Sequence, residues 1–205
     1  MTIRLAPFSL ASFSLASSLA AGTLAGFATL ALAAPQTYTL DSSHSQVVFS
    51  YDHLGFSTTY GMFSGFEGTV TLDPEAPEAS SIQIEIPVES MITGWDARTQ
   101  HFLSPDFFNI ADAPVATFTS TGVEPTGEMT ANVTGDLTIN GVTKEVTLAT
   151  TINQMGTHPM AQKEWVGLSA TATVLRSDFN LGAFAPAVSD EVELIIEIEA
   201  EASDA

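Results

Sequence analysis

The chain has 205 residues, 24 acidic against five basic side chains, a formal net charge of −19 and no cysteine. A field this negative repels the phosphates of nucleic acids and anionic lipid headgroups, which argues against nucleic acid as a partner. Without cysteine there is no disulfide and no lipid-modified N-terminal cysteine, so an exported domain must be held together by its core alone.

Residues 1–33 have the pattern of an export signal. Arg4 gives a positive start, the following residues to Leu32 carry no charge, and Ala31-Leu32-Ala33 has small residues where a signal peptidase reads. We expect cleavage there, leaving one domain, 34–205, in the periplasm or secreted and without stable membrane insertion. An uncleaved membrane anchor is the alternative, because the apolar run is long enough to span a bilayer.

The rest of the chain predicts β-strands. Apolar and polar residues alternate with period two, as in Ser81 to Glu89, where Ile82, Ile84, Ile86 and Val88 fall on one face. In chain order, this alternation and the turn residues predict eight or nine strands at 36–41, 47–53, 66–72, 81–89, 115–123, 128–139, 142–152, 164–176 and 192–200.

The connections predict an antiparallel fold. Asn140-Gly141 is a strong hairpin signal, because both central positions of a type I′ turn need positive φ. No βαβ alternation and no glycine-rich phosphate loop is present in the sequence. A long antiparallel sheet that faces solvent on one side has two unpaired edge strands, and closing into a barrel removes both edges. We therefore predict an all-β, antiparallel, eight-stranded barrel. A two-sheet sandwich is the alternative.

Residues 94–109, GWDARTQHFLSPDFFN, interrupt the strand pattern. Thr93 with Asp96 is a plausible capping pair for one short helical turn, and Ser104-Pro105-Asp106 is typical of the start of a second. We expect the two turns to sit between strands 81–89 and 115–123 as a lid on one mouth of the barrel. The alternative is a plug that buries its aromatic residues as core.

The histidines and acids give no clear catalytic or metal site. His44, His53, His101 and His158 lack the usual zinc-ligand spacings, so we predict no metal. A group of His101 with Asp96 or Asp106 would suit acid–base chemistry, but N-capping and surface solvation explain these acids more simply, so we predict no catalysis.

By period-two alternation, Arg176 falls on the apolar face of the strand predicted at 164–176. A charge on that face must be paired or must meet an anionic ligand. We expect Asp178 to be its partner, with a lipid headgroup contact as the alternative.

Four motifs resemble those of the YceI-like family of polyisoprenoid-binding periplasmic proteins. They are Asp41-Ser42-Ser43-His44-Ser45 with the following His53, Gly61, Phe63 and Gly68; Arg98-Thr99-Gln100-His101-Phe102-Leu103-Ser104-Pro105-Asp106-Phe107-Phe108; Gly135-Asp136-Leu137-Thr138-Ile139-Asn140-Gly141-Val142-Thr143-Lys144; and Arg176-Ser177-Asp178-Phe179. The resemblance spans essentially the whole of 34–205. It departs at His101-Phe102-Leu103, where the family pattern has histidine directly followed by leucine, which bears on the width of the mouth.

The resemblance implies a lipocalin-like barrel that holds a long isoprenoid or other amphiphilic chain, such as a quinone-like or fatty chain, without catalysis or a cofactor. From the inward parity of the strands we predict lumen contacts from Phe49, Tyr51, His53, Phe66, Met129 and Val133. At the mouth we predict contacts from Trp95, Arg98, His101, Phe102, Phe107, Phe108 and Arg176. Two other functions stay open: a hydrolase or isomerase of small amphiphiles using His101 with Asp96 or Asp106, and a solid-barrel structural or stress-response module. A homodimer also stays open.

Overall fold

The computed structural model describes residues 34–203, which fold into ten strands and one α-helix, α1 (Asp96–Leu103). The strands are β1 (Gln36–Leu40), β2 (Gln46–His53), β3 (Ser57–Ser64), β4 (Glu67–Leu72), β5 (Ser81–Pro87), β6 (Val115–Pro125), β7 (Thr130–Ile139), β8 (Val142–Thr157), β9 (Glu164–Leu175) and β10 (Glu191–Ala202). Short 3-10 helices occupy Pro77–Ala79, Val88–Ser90 and Arg176–Phe179. The predicted export signal lies outside the described residues.

The strands form one antiparallel sheet that closes on itself. Its order is β1, β4, β5, β6, β7, β8, β9 and β10, and β10 pairs back with β1. The last residues of β10 make this closure, with Ala200 opposite Leu40, whereas its first half pairs with β2, with Ile196 opposite Val47. Eight strands complete the ring, and the β2–β3 hairpin extends the wall at one end. The predicted closed antiparallel barrel is confirmed.

Strand β3 is the one that sequence periodicity missed. Its residues, STTYGMFS, mix polar, small and aromatic side chains, and they do not alternate cleanly between buried and exposed. Pairing with β2 fixes the strand instead, from Ser57 opposite His53 to Ser64 opposite Gln46. Context rather than propensity decides such a strand.

The predicted alternation places the core correctly. Ile82 and Ile84 on β5 and Ile196 on β10 are buried, whereas Ile195, the apolar residue on the polar face of β10, is 50% exposed. Removing each such inward side chain from water contributes about 1.5–3 kcal/mol, which holds the sheet closed without a disulfide.

The Asn140-Gly141 turn forms as predicted between β7 and β8. Both residues have positive φ, 51° and 73°, and the flanking residues Ile139 and Val142 pair directly. This turn fixes the register of the hairpin.

The barrel is solidly packed at the end where β1 and β10 meet. Val70, Val166 and Ala200 have no exposed surface there. Gly68 lets β4 and β5 approach at this level, because its φ is +144° and an added Cβ would lie 2.1 Å from the Gln83 carbonyl oxygen. A side chain at this position would collide with backbone.

The helix α1 differs from its predicted start. Trp95, in an extended conformation, precedes the first helical residue and makes no side-chain cap. The predicted Thr93–Asp96 capping pair is wrong, because the Thr93 hydroxyl instead bonds the Trp95 carbonyl at 3.1 Å and the Thr99 hydroxyl at 2.8 Å.

The second predicted helical turn is a hydrogen-bonded turn rather than a helix. The Ser104 carbonyl accepts hydrogen bonds from the backbone N–H groups of Phe107 and Asn109 at 3.1 and 2.9 Å.

Within residues 34–203, none of the helices combines the length and apolar character needed to cross a bilayer.

Candidate ligand-binding site

An apolar cavity of about 640 Å³ lies inside the barrel at the end that carries α1. It reaches solvent between α1 and the loop 180–190, where the lining residues His53, Trp95 and Phe184 are exposed. Its wall is formed by Val47, Phe49, Tyr51, Phe63, Phe66, Ile84, Ile86, Ala116, Phe118, Leu137, Ile139, Leu148, Val174, Val192, Leu194 and Ile196. Pockets of ~300–1,000 Å³ with such walls are typical of small-molecule sites.

The barrel is therefore half lumen and half packed core. The fully buried residues Val70, Val166 and Ala200 lie beyond the floor of the cavity and do not line it. The solid-barrel alternative does not describe the end that carries α1.

Four of the six predicted lumen residues line the cavity, namely Phe49, Tyr51, His53 and Phe66. Val133 has the predicted inward parity but is buried in the packed core, and Met129 lies just before β7, where it is 39% exposed. Both are outside the cavity lining. Parity sets the face of the sheet that a residue occupies, whereas the depth of the cavity floor depends on how the opposite strands pack.

Phe49 covers a glycine on the neighbouring strand. Gly61 lies opposite Phe49 in the β2–β3 pair, and an added Cβ at Gly61 would lie 2.2 Å from the Phe49 Cζ atom. The ring also packs on Phe63, with 5.5 Å between ring centroids. Glycine at this position lets the ring lie back against the wall and leaves the lumen open.

All seven predicted mouth residues line the cavity. Phe102 stands between two rings, with its centroid 6.3 Å from Tyr51 and 5.3 Å from Phe107. Phe108 contacts Phe63 edge-on at 5.8 Å. Phe107 is buried and Trp95 exposed, so the segment combines packed anchors with an open rim. Phe102, the residue that departs from the family pattern, takes up space directly at the mouth.

Arg98 lines the cavity and carries one unpaired donor. Its Nη2 donates to the Thr93 carbonyl at 2.5 Å, which holds the side chain across the start of α1. Its Nε is buried and has no hydrogen-bond partner among the described residues. A buried donor left unpaired costs free energy, and an acceptor on a bound molecule would remove that cost.

Arg176 is held by backbone carbonyls rather than by a carboxylate. Its guanidinium donates to the carbonyls of Ser189, Leu181, Val188 and Ala183, at 2.8, 2.8, 3.0 and 3.1 Å. Desolvation at this position lowers the pKa of Arg176, partly opposed by the nearby carboxylate of Asp190. These bonds fasten one side of the mouth.

The predicted Arg176–Asp178 ion pair is wrong. The chain enters a 3-10 helix at Arg176, and this turn carries Asp178 toward Lys144, whose Nζ lies 3.6 Å from its carboxylate. Arg176 is left facing the loop 181–189. Strand parity could not foresee the turn.

His101 has no acid–base partner among the described residues. Its ring packs edge-on against Phe107 at 4.9 Å, and within residues 34–203 it forms no hydrogen bond or ion pair with Asp96 or Asp106. The arrangement gives no support to hydrolase or isomerase chemistry at this position.

A second polar cluster lies away from the mouth. His44 Nδ1 is 2.6 Å from the Asp41 carboxylate. A carboxylate oxygen of Asp41, a ring nitrogen of His44 and a carboxylate oxygen of Glu199 lie within 4.8 Å of one another. The hydrogen bond that His44 donates to the Asp41 carboxylate raises the pKa of His44, and the hydrogen bonds that Asp41 accepts from Ser43 and His44 lower the pKa of Asp41. Asp41 and His44 therefore pair with each other in the turn between β1 and β2.

Sequence reasoning missed one side of the mouth. Leu181, Ala183, Phe184 and Val188 line the cavity from the loop between β9 and β10. They follow no period of helix or strand, and the sole sequence feature near them is the run of small and proline residues typical of a loop.

A closed antiparallel barrel with an apolar cavity open at one end defines this protein as a lipocalin-like barrel. Residues 38–200 match the family model of the YceI-like domain. Protein YceI of Salmonella arizonae is 39% identical over 169 residues, which cover 82% of this chain and 87% of that protein. The chain belongs to the YceI-like family.

Solved structures show the same fold. The crystal structure of BcnA from Burkholderia cenocepacia is similar with a TM-score of 0.71 and 29% identity, over 78% of this chain and 99% of that one. A polyisoprenoid binding domain from Saccharophagus degradans, implicated in plant cell wall breakdown, has a TM-score of 0.65 over 82% of this chain and 99% of that one. At 18% identity, the second likeness concerns the fold alone.

Proposed function

We propose that this protein is an exported, non-enzymatic lipid-binding protein that holds a polyisoprenoid, quinone-like or fatty chain in its lumen for transport, storage or sequestration. The observation that carries the proposal is the apolar cavity of about 640 Å³ with an open mouth. A slender hydrocarbon chain matches this cavity, because an apolar wall offers contact without directional bonds. Membership of the YceI-like family supports a lipid-like ligand.

The polar end of the ligand lies at the mouth. Arg98 lines the cavity there with a buried, unpartnered Nε donor, and His101 stands on the same helix. A hydroxyl, carbonyl or carboxylate oxygen at the end of an apolar chain would accept this hydrogen bond. Phe49, Tyr51, His53 and Phe66 then contact the chain, and the aromatic residues of 95–108 close over it.

Export to the periplasm is part of the proposal. The charge pattern of residues 1–33 and the small residues at Ala31 and Ala33 support cleavage after residue 33. The released domain, 34–205, contains 24 acidic and four basic residues, a formal charge of −20, which keeps it soluble and off anionic surfaces.

Native mass spectrometry of the protein purified from its own host tests the proposal. We expect a co-purified hydrophobic adduct that organic extraction removes and that added oleate or farnesol replaces. A clean apo mass, together with no measurable binding of either compound, would contradict a lipid-binding function.

The Arg98→Ala variant tests the headgroup contact. We expect oleate affinity to fall by about 1–3 kcal/mol, the scale of a lost charge-assisted hydrogen bond. The matched control is Lys144→Ala, which removes a base that pairs with Asp178 and does not line the cavity. Equal oleate affinities in the two variants would show that Arg98 does not contact the ligand.

A further inference from the structure

Four large apolar side chains are exposed around the mouth and form what we term the apolar rim: Leu54, Phe56, Trp95 and Phe184, with 49, 89, 65 and 68% of their surface exposed. Trp95 and Phe184 line the opening of the cavity. Leu54 and Phe56 lie in the turn between His53 and Ser57, which also line it. Exposed apolar groups gathered at one site mark an interaction surface.

The backbone has an unfavourable conformation at two of the four rim residues, Leu54 and Phe184. Leu54 and Phe184 have φ of 60° and 67°, a region that bulky residues rarely adopt. Leu54 and Gly55 are the central residues of a turn closed by a hydrogen bond from the Phe56 N–H to the His53 carbonyl. Such turns favour asparagine or aspartate where leucine stands.

The same chain uses the favoured residues elsewhere. Asn140-Gly141 makes the β7–β8 turn with positive φ at both residues, as Leu54-Gly55 does between β2 and β3. Folding alone therefore gives no reason for leucine at the tip of the β2–β3 turn. Strain of this kind is characteristic of functional positions.

We propose that the apolar rim docks the mouth of the barrel on the surface of a zwitterionic lipid bilayer. The docking deepens the proposed function, on which it rests, because an apolar chain could then pass from the bilayer into the cavity without crossing water. Aromatic and leucine side chains partition well into the boundary between headgroups and acyl chains.

Charge sets the kind of lipid. Two of the four bases in residues 34–205, Arg98 and Arg176, line the mouth, although acids such as Asp52, Asp190 and Glu191 also lie at this end of the barrel. The formal charge of −20 on residues 34–205 makes an anionic surface unfavourable. It also disfavours a second copy of the chain as the partner.

Co-sedimentation with phosphatidylcholine vesicles tests the proposal on the folded domain. Phe56→Ser should lower the vesicle partition coefficient about tenfold, and Phe56→Ser/Phe184→Ser further, since burial of each ring is worth about a factor of ten or more. The matched control is Met160→Ser, because Met160 is 88% exposed but lies in the β8–β9 turn at the far end of the barrel. It should partition as the unchanged protein does.

Tryptophan fluorescence identifies the surface that touches lipid. Vesicles of brominated phosphatidylcholine should quench the emission of Trp95, and Trp95→Phe should abolish the quenching, because the other tryptophan, Trp165, lies toward the packed end. Quenching that persists in Trp95→Phe would overturn the proposed orientation.

Three results would overturn docking: no partition of the unchanged protein, equal loss in Met160→Ser, or partition confined to anionic vesicles. A concentration-dependent dimer that Phe56→Ser abolishes, without vesicle partition, would assign the rim to a second copy instead. Farnesol binding in vesicle-free buffer separates the two proposals. If farnesol still binds, docking alone fails; if it does not, the lipid-binding function fails as well.

Discussion

Replacing Gly61 with alanine should push the Phe49 ring into the lumen. The added Cβ would lie 2.2 Å from Cζ and 2.7 and 2.9 Å from the two Cε atoms of that ring. Carbon atoms need about 3.5–4.0 Å, so the ring must retreat by more than about 1 Å. Phe63 blocks one side of the ring, and the free volume lies in the cavity that Phe49 already lines.

The energetic cost follows from two opposing effects. Overpacking of this kind costs about 1–3 kcal/mol, and alanine returns about 0.4–1 kcal/mol by restricting the unfolded chain. We expect a net loss of about 1–2 kcal/mol of unfolding free energy. Oleate and farnesol should bind more weakly as well, because the displaced ring occupies their volume.

Urea denaturation and equilibrium binding of oleate and farnesol measure the two effects. Gly167→Ala on β9 is the control, because the nearest atom to its added Cβ is the Asn153 Cβ at 4.0 Å. It should be as stable as the unchanged protein or slightly more stable. Gly61→Ala/Phe49→Leu should recover part of the loss, since residues in contact do not act additively. Unchanged stability and affinity in Gly61→Ala would refute the reasoning.

Two further predictions concern the loop between β9 and β10. Arg176→Met removes the four hydrogen bonds to the carbonyls of Leu181, Ala183, Val188 and Ser189. Because water replaces part of these bonds, we expect the unfolding free energy to fall by about 2–4 kcal/mol. Hydrogen exchange should rise in 181–189, and unchanged protection there would contradict the anchoring role. Hydrogen bonds from the Ser177 hydroxyl and N–H lower the pKa of Asp190 below its ordinary value of 3.8. The stability that this carboxylate contributes is therefore present above pH 3.8 and lost as pH falls through the folded pKa. Urea titrations at about pH 5 and about pH 2.5 should show that acid lowers the unfolding free energy of Asp190→Asn by less than it lowers that of the unchanged protein. Equal decreases in the two proteins would exclude this contribution of Asp190.

The sequence by itself determined most of the wall of the barrel. Inward residues such as Ile84 and Ile196 follow from period two alone, because a pleated strand puts alternate side chains on opposite faces. The Asn140-Gly141 turn follows from the φ values that its two residues tolerate. The mouth residues of 95–108 were found because aromatic side chains and a rare arginine stand out in an acidic, strand-rich chain.

The tertiary structure alone decided where the lumen ends and what surrounds its mouth. Met129 and Val133 have the parity of lumen residues, yet the depth of the cavity floor depends on packing between strands distant in sequence. Arg176 contacts backbone carbonyls rather than Asp178, because a 3-10 helix begins at Arg176 where the sequence predicted the end of a strand. Leu54 and Phe184 meet at one rim through the pairing of His53 with Val188, which joins segments more than a hundred residues apart. Local pattern fixes which face a side chain occupies, whereas neighbours brought together by the closed sheet fix what that face meets.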